Sequence, residues 1–239
     1  ILYPVHLSLE QCSSEMTARY KAEIIRHLLE AGRQSSEENN TPEPTESFTD
    51  LTGGFGIDCA FLSSCFRKAT YVERQARHNF PALGLDHISV CHEDSIRYLQ
   101  EMESVDWIFI DPARRDGRGG KTVAISDCEP DVSALEDLLL EKAPHVLVKL
   151  SPMLDLALAL HDLKHVQVAH IVSVNNECKE LLLVLGRETH LSSEEVPIHC
   201  INLMTSQTTQ CLLFTRQQEK EYSCPYTSTL KTYLYEPNA

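Results

Sequence analysis

Residues Phe48 to Asp58, read as Phe-Thr-Asp-Leu-Thr-Gly-Gly-Phe-Gly-Ile-Asp, constrain the fold more than any other stretch of the chain. An apolar lead-in, an acid at Asp50, glycines at Gly53, Gly54 and Gly56 and then a helix-like run predict a strand, a tight turn and a helix start, in that order. Only glycine lets backbone amides come right up to a ligand at such a turn. A dinucleotide loop of the form Gly-x-Gly-x-x-Gly would set a pyrophosphate on a helix N-terminus. Aligned on Gly54 and Gly56, its third glycine falls on Cys59, which breaks that fingerprint.

A chain of 239 residues can bury one α/β core and leave some residues for a second small unit. No apolar run approaches the roughly 18 to 20 residues of a membrane span, and there is no signal-peptide layout, so a cytoplasmic protein with no membrane partner is expected. The nine cysteines include no Cys-x-x-Cys pair, and several lie in apolar, strand-like runs. They read as reduced, buried thiols rather than disulfides or a metal site. A formal charge of -14 argues against a general nucleic-acid binder, because phosphate contacts need Lys and Arg, and leaves room for a local basic site. The chain starts inside the apolar run Ile1-Leu2-Tyr3-Pro4 without an initiator methionine and stops at Glu236-Pro237-Asn238-Ala239, the pattern of a piece of a longer protein. The oligomeric state has no sequence signature here.

Glu15 to Glu30 carries Met16, Tyr20, Ile24, Ile25, Leu28 and Leu29 at the spacing of an amphipathic helix, with Ser13 or Ser14 to cap it and Gly32 to stop it. Arg33 to Ser47 is polar, acidic and interrupted by Pro42 and Pro44, and reads as a surface linker. Strands are predicted near 47–51, 69–73, 87–91, 105–110, 145–150, 166–173 and 180–186, with helices in most gaps, the pattern of a mainly parallel sheet. Two more, Val196 to Met204 and Thr209 to Thr215, suggest an appended β element, and Gln217 to Glu221 reads as a polar break.

Several residues carry chemistry at the ends of these strands. Glu73 closes Ala-Thr-Tyr-Val-Glu, about 20 residues beyond Gly53, where an acid can accept both hydroxyls of a ribose. Asp94 follows the third strand and is also a good helix cap for Ser95 to Met102. Trp107-Ile108-Phe109-Ile110-Asp111-Pro112 is a hydrophobic strand that puts a carboxylate and a backbone carbonyl at the carboxyl edge of the sheet. Arg114, Arg115, Arg118 and Lys121 then form a basic cluster with Gly117, Gly119 and Gly120 between them, suited to phosphate contacts. Lys149 is an ammonium at the end of an apolar strand, where burial demands a partner.

The Asp50-Leu51-x-x-Gly54-x-Gly56 pattern resembles the first motif of the class I S-adenosylmethionine (SAM) methyltransferases, whose loop wraps the methionine part of the cofactor. That resemblance implies an α/β fold, a seven-stranded Rossmann-like sheet with its last strand antiparallel and helices on both faces, plus a small appended C-terminal β element. Glu73 and Asp94 match the acids that hold the ribose and the adenine amine. Asp111-Pro112 resembles the Asp/Asn-Pro-Pro-aromatic motif of enzymes that methylate exocyclic amines, with Arg114 in place of the aromatic. Lys21, Asp111, Lys149 and Glu177 or Glu180 look like the Lys-Asp-Lys-Glu set of ribose 2′-O-methyltransferases, in which a lysine of depressed pKa deprotonates the hydroxyl. Asp-Pro-Ala-Arg also resembles the RNA 5-methyluridine methyltransferases, but their nucleophilic cysteine is replaced here by Lys149-Leu150-Ser151-Pro152.

Glu10 to Lys21, Asp50 to Asp58, Asp111 to Arg115 and Lys149 to Pro152 together resemble a bacterial group assigned as RNA methyltransferases with a THUMP-like C-terminal domain, related to the cap guanine-N2 (trimethylguanosine synthase) enzymes. The resemblance implies a SAM cofactor and an RNA substrate, tRNA or rRNA. It implies cofactor contacts from Thr17, Asp50, Thr52, Gly53, Gly54, Gly56, Glu73, Asp94 and Asp111, with Ser13 and Ser14 beside Thr17 near the methionine carboxylate. Asp111, Pro112, Arg114 and Lys149 carry the catalytic roles, and Arg114, Arg115, Arg118 and Lys121 the substrate contacts. The expected divisions are an N-terminal helix and linker over 1–46, a SAM-binding domain over 47–190, and the appended β element with the start of a THUMP-like part over 191–239. The rival reading from another class is a non-catalytic methyltransferase-like RNA-binding module, suggested by the arginine at 114.

Overall fold

The computed structural model describes residues 12–36, 47–73, 79–114, 124–206, 208–223 and 229. The chain opens with helix α1 (Glu15–Ser36), strand β1 (Ser47–Asp50) and helix α2 (Ile57–Leu62). Strand β2 (Lys68–Val72), helix α3 (Asn79–Ala82), strand β3 (Ile88–Cys91), helix α4 (Ser95–Glu101) and strand β4 (Trp107–Ile110) follow. The short strands β5 (Ala113–Arg114) and β6 (Cys128–Glu129) pair with each other, outside the main sheet. Helix α5 (Val132–Lys142), strand β7 (His145–Leu150), helix α6 (Leu156–Asp162), strands β8 (Val166–Val174), β9 (Glu177–Gly186), β10 (Ile198–Leu203) and β11 (Gln210–Phe214), and helix α7 (Arg216–Glu221) complete it.

The main sheet runs β11-β10-β8-β9-β7-β4-β1-β2-β3. From β3 through β7 every pairing is parallel, and β9 runs antiparallel to both β7 and β8. This is the class I methyltransferase order, with its antiparallel last strand inserted between two others. The sheet has nine strands rather than the expected seven, because β10 pairs in parallel with β8 and β11 pairs antiparallel with β10. The appended β element thus continues the same sheet.

Parallel strands covered on both faces read as continuous apolar runs, and β4, Trp-Ile-Phe-Ile, is buried at every position. Its pleat sends Ile108 and Ile110 to the face packed by Leu139, Leu140, Ala159 and Leu160. Trp107 and Phe109 go to the other face, with Ala22, Ile24 and Ile25 of α1. Parity then fixes where the polar ends of strands point. Leu147 and Leu182 belong to the α1 face, so Lys149 and Glu180, two residues away on their strands, are turned toward α1 as well.

Two local expectations are corrected. Helix α1 runs through Gly32 to Ser36, since one interior glycine costs only about 1 kcal/mol against the buried stripe upstream. The polar stretch after β11 is helix α7, held by a Thr215–Gln218 capping box and a 2.8 Å ion pair between Lys220 and Glu194 rather than by an apolar face. The expected linker lies mostly outside the described residues, as does the expected start of a THUMP-like part. Among the described residues no helix is long and apolar enough to cross a membrane.

Helix α1 also docks through aromatic groups. Tyr20 shares a 2.9 Å hydrogen bond with Nδ1 of His170 on β8, and His170 stacks on His199 of β10 at 4.8 Å. Burial, reinforced by His199, pushes the His170 pKa down to about 3. Between the ordinary histidine value and about 3 the unfolded chain therefore takes up a proton that the folded chain refuses, so stability falls as pH falls through that window. At pH 5 the deficit from this group is about 2 kcal/mol. The melting temperature of His170→Gln should accordingly fall less than that of the wild type between pH 7 and pH 5, as read by circular dichroism; an equal fall would remove His170 as the cause.

Candidate functional site

The glycine turn packs against the ends of the neighbouring strands. Leu51 N–H donates to the Phe109 carbonyl at 3.0 Å and Gly53 N–H to the Val72 carbonyl at 3.1 Å, which carries the β1 extension between β2 and β4. A Cβ on Gly53 would lie 2.3 Å from Glu73 Cβ, so only a bare backbone fits there. Gly54 has nothing within 4 Å of its Cβ position and faces open space. Gly56 takes a left-handed φ of 84° as it caps α2, and a side chain there would also strike Phe80 at 2.8 Å. On the other flank, Asp111 N–H donates to Thr52 Oγ1 at 2.5 Å. The turn, Glu73 and Asp111 therefore lie side by side at the carboxyl edge of β1, β2 and β4, where doubly wound sheets bind ligands.

Beneath that edge runs a buried chain of charges. Lys149 Nζ donates to Asp111 Oδ2 at 2.6 Å and lies 3.4 Å from Asp58 Oδ2, on the first turn of α2. Asp58 Oδ1 is 3.1 Å from Lys21 Nζ of α1, an ion-pair contact rather than an aligned hydrogen bond. Lys21 Nζ also donates to Glu180 Oε2 at 2.5 Å and to Ser13 Oγ at 3.1 Å. The Ser13 hydroxyl, 2.8 Å from Asp58 Oδ2 and 3.0 Å from Glu180 Oε1, donates its one proton between them. The order is Glu180, Lys21, Asp58, Lys149, Asp111, with Ser13 bridging its inner end.

Burial opposes the charge on Asp58, but the ammonium groups of Lys21 and Lys149 and the Ser13 hydroxyl outweigh it and hold its carboxyl below the usual range. Burial likewise opposes the charge on Lys149, and Asp111, Asp58 and Glu180 more than reverse it, so its pKa is raised. The depressed lysine expected for hydroxyl deprotonation is not found, because three acids surround this ammonium. Burial raises Asp111 against the pull of Lys149, tempered by water, since its side chain is 35% exposed. Asp50 is pushed well above the usual range by burial, although the Thr52 amide favours its charge, and Asp58 and Asp111 add to the rise.

The other expected site residues sit as follows. Pro112 is buried behind Asp111, and Arg114 falls on β5, its side chain outside the described residues. Arg115, Arg118 and Lys121 lie outside the described residues. Thr17 is buried in the first turn of α1, and its hydroxyl donates to the Ser14 carbonyl while its amide donates to Ser14 Oγ. Asp94 caps α4 through Oδ1, accepting from the amides of Ile96 and Arg97. Asp58 was not singled out from the sequence. Its signal was an acid one turn past the glycines, in reach of a lysine on a buried strand.

No family model matches the chain, and no curated protein matches it. A solved structure, the "putative methyltransferase from Porphyromonas gingivalis W83", is 37% identical, covers 99% of this chain and 56% of its own, and superposes with a TM-score of 0.80. The two share one fold. The chain spans little more than half the length of that protein. More distant are a "conserved hypothetical protein" of Streptococcus pyogenes, 14% identical over 62% of this chain and 89% of its own with a TM-score of 0.45, and the "putative methyltransferase yhhF" of Escherichia coli, 18% identical over 61% and 78% with a TM-score of 0.41.

The Gly53 contact sets a direct test of this packing. Gly53→Ala should force Glu73 aside and lower the urea midpoint by the equivalent of about 1–3 kcal/mol, whereas Gly54→Ala, facing open space, should cost clearly less. Equal midpoints for the two variants would show that the turn does not abut Glu73.

Proposed function

We propose that this chain is a SAM-dependent methyltransferase domain whose acceptor is an exocyclic amine of an RNA base, such as guanine N2. One observation supports it above the rest: the glycine turn, Glu73 and Asp111 meet at one edge of a sheet of class I methyltransferase order. The residues present fit the cofactor. Gly53 lets the turn abut Glu73, Gly54 leaves open space that a side chain would enter, Glu73 stands where a ribose needs an acceptor, and Asp50 and Thr52 line the turn. When bound, SAM supplies an electrophilic methyl group on a sulfonium.

The rest is positioning of the acceptor. An aromatic amine is a weak nucleophile because its lone pair is delocalised into the ring. The Asp111 carboxylate and the Pro112 carbonyl accept its N–H groups and localise that pair. Lys149 occupies Asp111 Oδ2, which leaves Oδ1 for the amine and fixes the carboxylate plane. The basic cluster of Arg114, Arg115, Arg118 and Lys121 follows directly and supplies phosphate contacts.

A second reading, ribose 2′-O-methylation, draws on the joining of Lys21, Asp111, Lys149 and Glu180 through Asp58. The raised pKa of Lys149 speaks against a lysine base, and the two products differ chemically. A 2′-O-methyl group blocks alkaline cleavage of the adjacent phosphodiester, whereas a methylated base does not. Tritiated SAM with total RNA should therefore give label in alkali-released mononucleotides, abolished by Asp111→Ala, while Glu73→Ala weakens S-adenosylhomocysteine binding about tenfold or more, the size of one lost charge-assisted hydrogen bond. Label in alkali-resistant dinucleotides would favour the ribose, and cofactor binding without any transfer would favour the non-catalytic RNA-binding module.

A further inference from the structure

The chain of charges beneath this edge of the sheet is not balanced. Three carboxylates, Glu180, Asp58 and Asp111, face two ammonium groups, Lys21 and Lys149, leaving one negative charge. No third cation among the described residues lies within ion-pair distance of those carboxylates. A fourth acid, Asp50, is 2% exposed at the foot of the glycine turn, and burial pushes its pKa well up, so it is left out of this balance. An uncompensated charge in such a setting is costly, and a cationic ligand relieves it. Asp58 is the hinge of the arrangement because, among the described residues, it alone touches both lysines.

We infer that the excess negative charge set by Asp58 makes this site prefer a cationic sulfonium nucleoside over the neutral thioether left after methyl transfer. The inference rests on the methyltransferase reading and adds a property to it. SAM carries one positive charge beyond its balanced amino and carboxyl groups, and S-adenosylhomocysteine carries none. Both share the adenosine and amino-acid parts, so contacts to those parts bind them alike and only the field at the sulfur separates them. Asp58 acts here as a positioning residue, through the field and through Lys149, without a contact to the acceptor. The consequence is relief of product inhibition: the site holds the reactant and lets the product go.

Calorimetric titration of the full chain with SAM and with S-adenosylhomocysteine tests this. The wild type should bind SAM more tightly. Asp58→Asn, which keeps the shape and removes the charge, should cut that preference about tenfold while S-adenosylhomocysteine affinity changes much less. Glu180→Gln, at the far end of the chain, should move it the same way by less. Lys149→Met, which removes a positive charge, should move it the opposite way, a sign that structural damage would not produce. Equal weakening of both ligands in Asp58→Asn, or shifts of the same sign in Asp58→Asn and Lys149→Met, overturns the inference and leaves the methyltransferase reading standing. Failure of both ligands to bind the wild type overturns both.

Discussion

Lys21 is the group on which the rest of the site depends. Its side chain has no exposed surface, and an ammonium taken wholly out of water costs several kcal/mol unless it is paired and hydrogen-bonded. Glu180 and Ser13 accept its protons and Asp58 pairs with its charge, and they come from β9, the lead into α1 and α2. One buried cation thus ties the first helix to the last strand of the methyltransferase order and to the helix that starts at the glycine turn. The same Asp58 then orients Lys149, and Lys149 orients Asp111. The Asp111 carboxylate is thus held by an arrangement that begins where α1 meets β9.

Topology makes this economical. The right-handed parallel crossovers bring the ends of β1, β2, β4 and β7 to one edge, and the antiparallel β9 returns its first residues to that edge. Strand parity aims Lys149 and Glu180 at the α1 face, where Leu147 and Leu182, each two residues away on the same strand, are packed. Polar groups need no special backbone to reach the site. Lys149 and Glu180 lie within β7 and β9, and Asp111 and Glu73 sit one residue past the ends of β4 and β2.

Much of this was legible in the sequence. Apolar runs bounded by polar or glycine-rich breaks placed β7 to the residue and the other strands of the core within a few residues, because fully buried strands leave little ambiguity. Lys149 stood out as an ammonium in a run that had to be buried, and Asp111-Pro112 as a strand end facing ligand. Asp58 did not stand out. An acid in the first turn of a helix is ordinary, and its meaning comes from two lysines distant in sequence. Helix α7 was hidden for the opposite reason, since capping and surface ion pairs hold it and no periodicity betrays them. The continuation of the sheet through β10 and β11 depended on which edge those strands would join, which periodicity does not carry.

The central claim is spatial: the glycine turn, Glu73 and the Asp-Pro corner together take one nucleoside ligand at this edge of the sheet. Amide chemical shifts followed while S-adenosylhomocysteine is titrated into the labelled chain address it directly. The account predicts that the largest changes fall together on Thr52, Gly53, Gly54, Glu73 and Asp111, with smaller ones on Asp58. Changes confined to another surface, or none at saturating ligand, would contradict it.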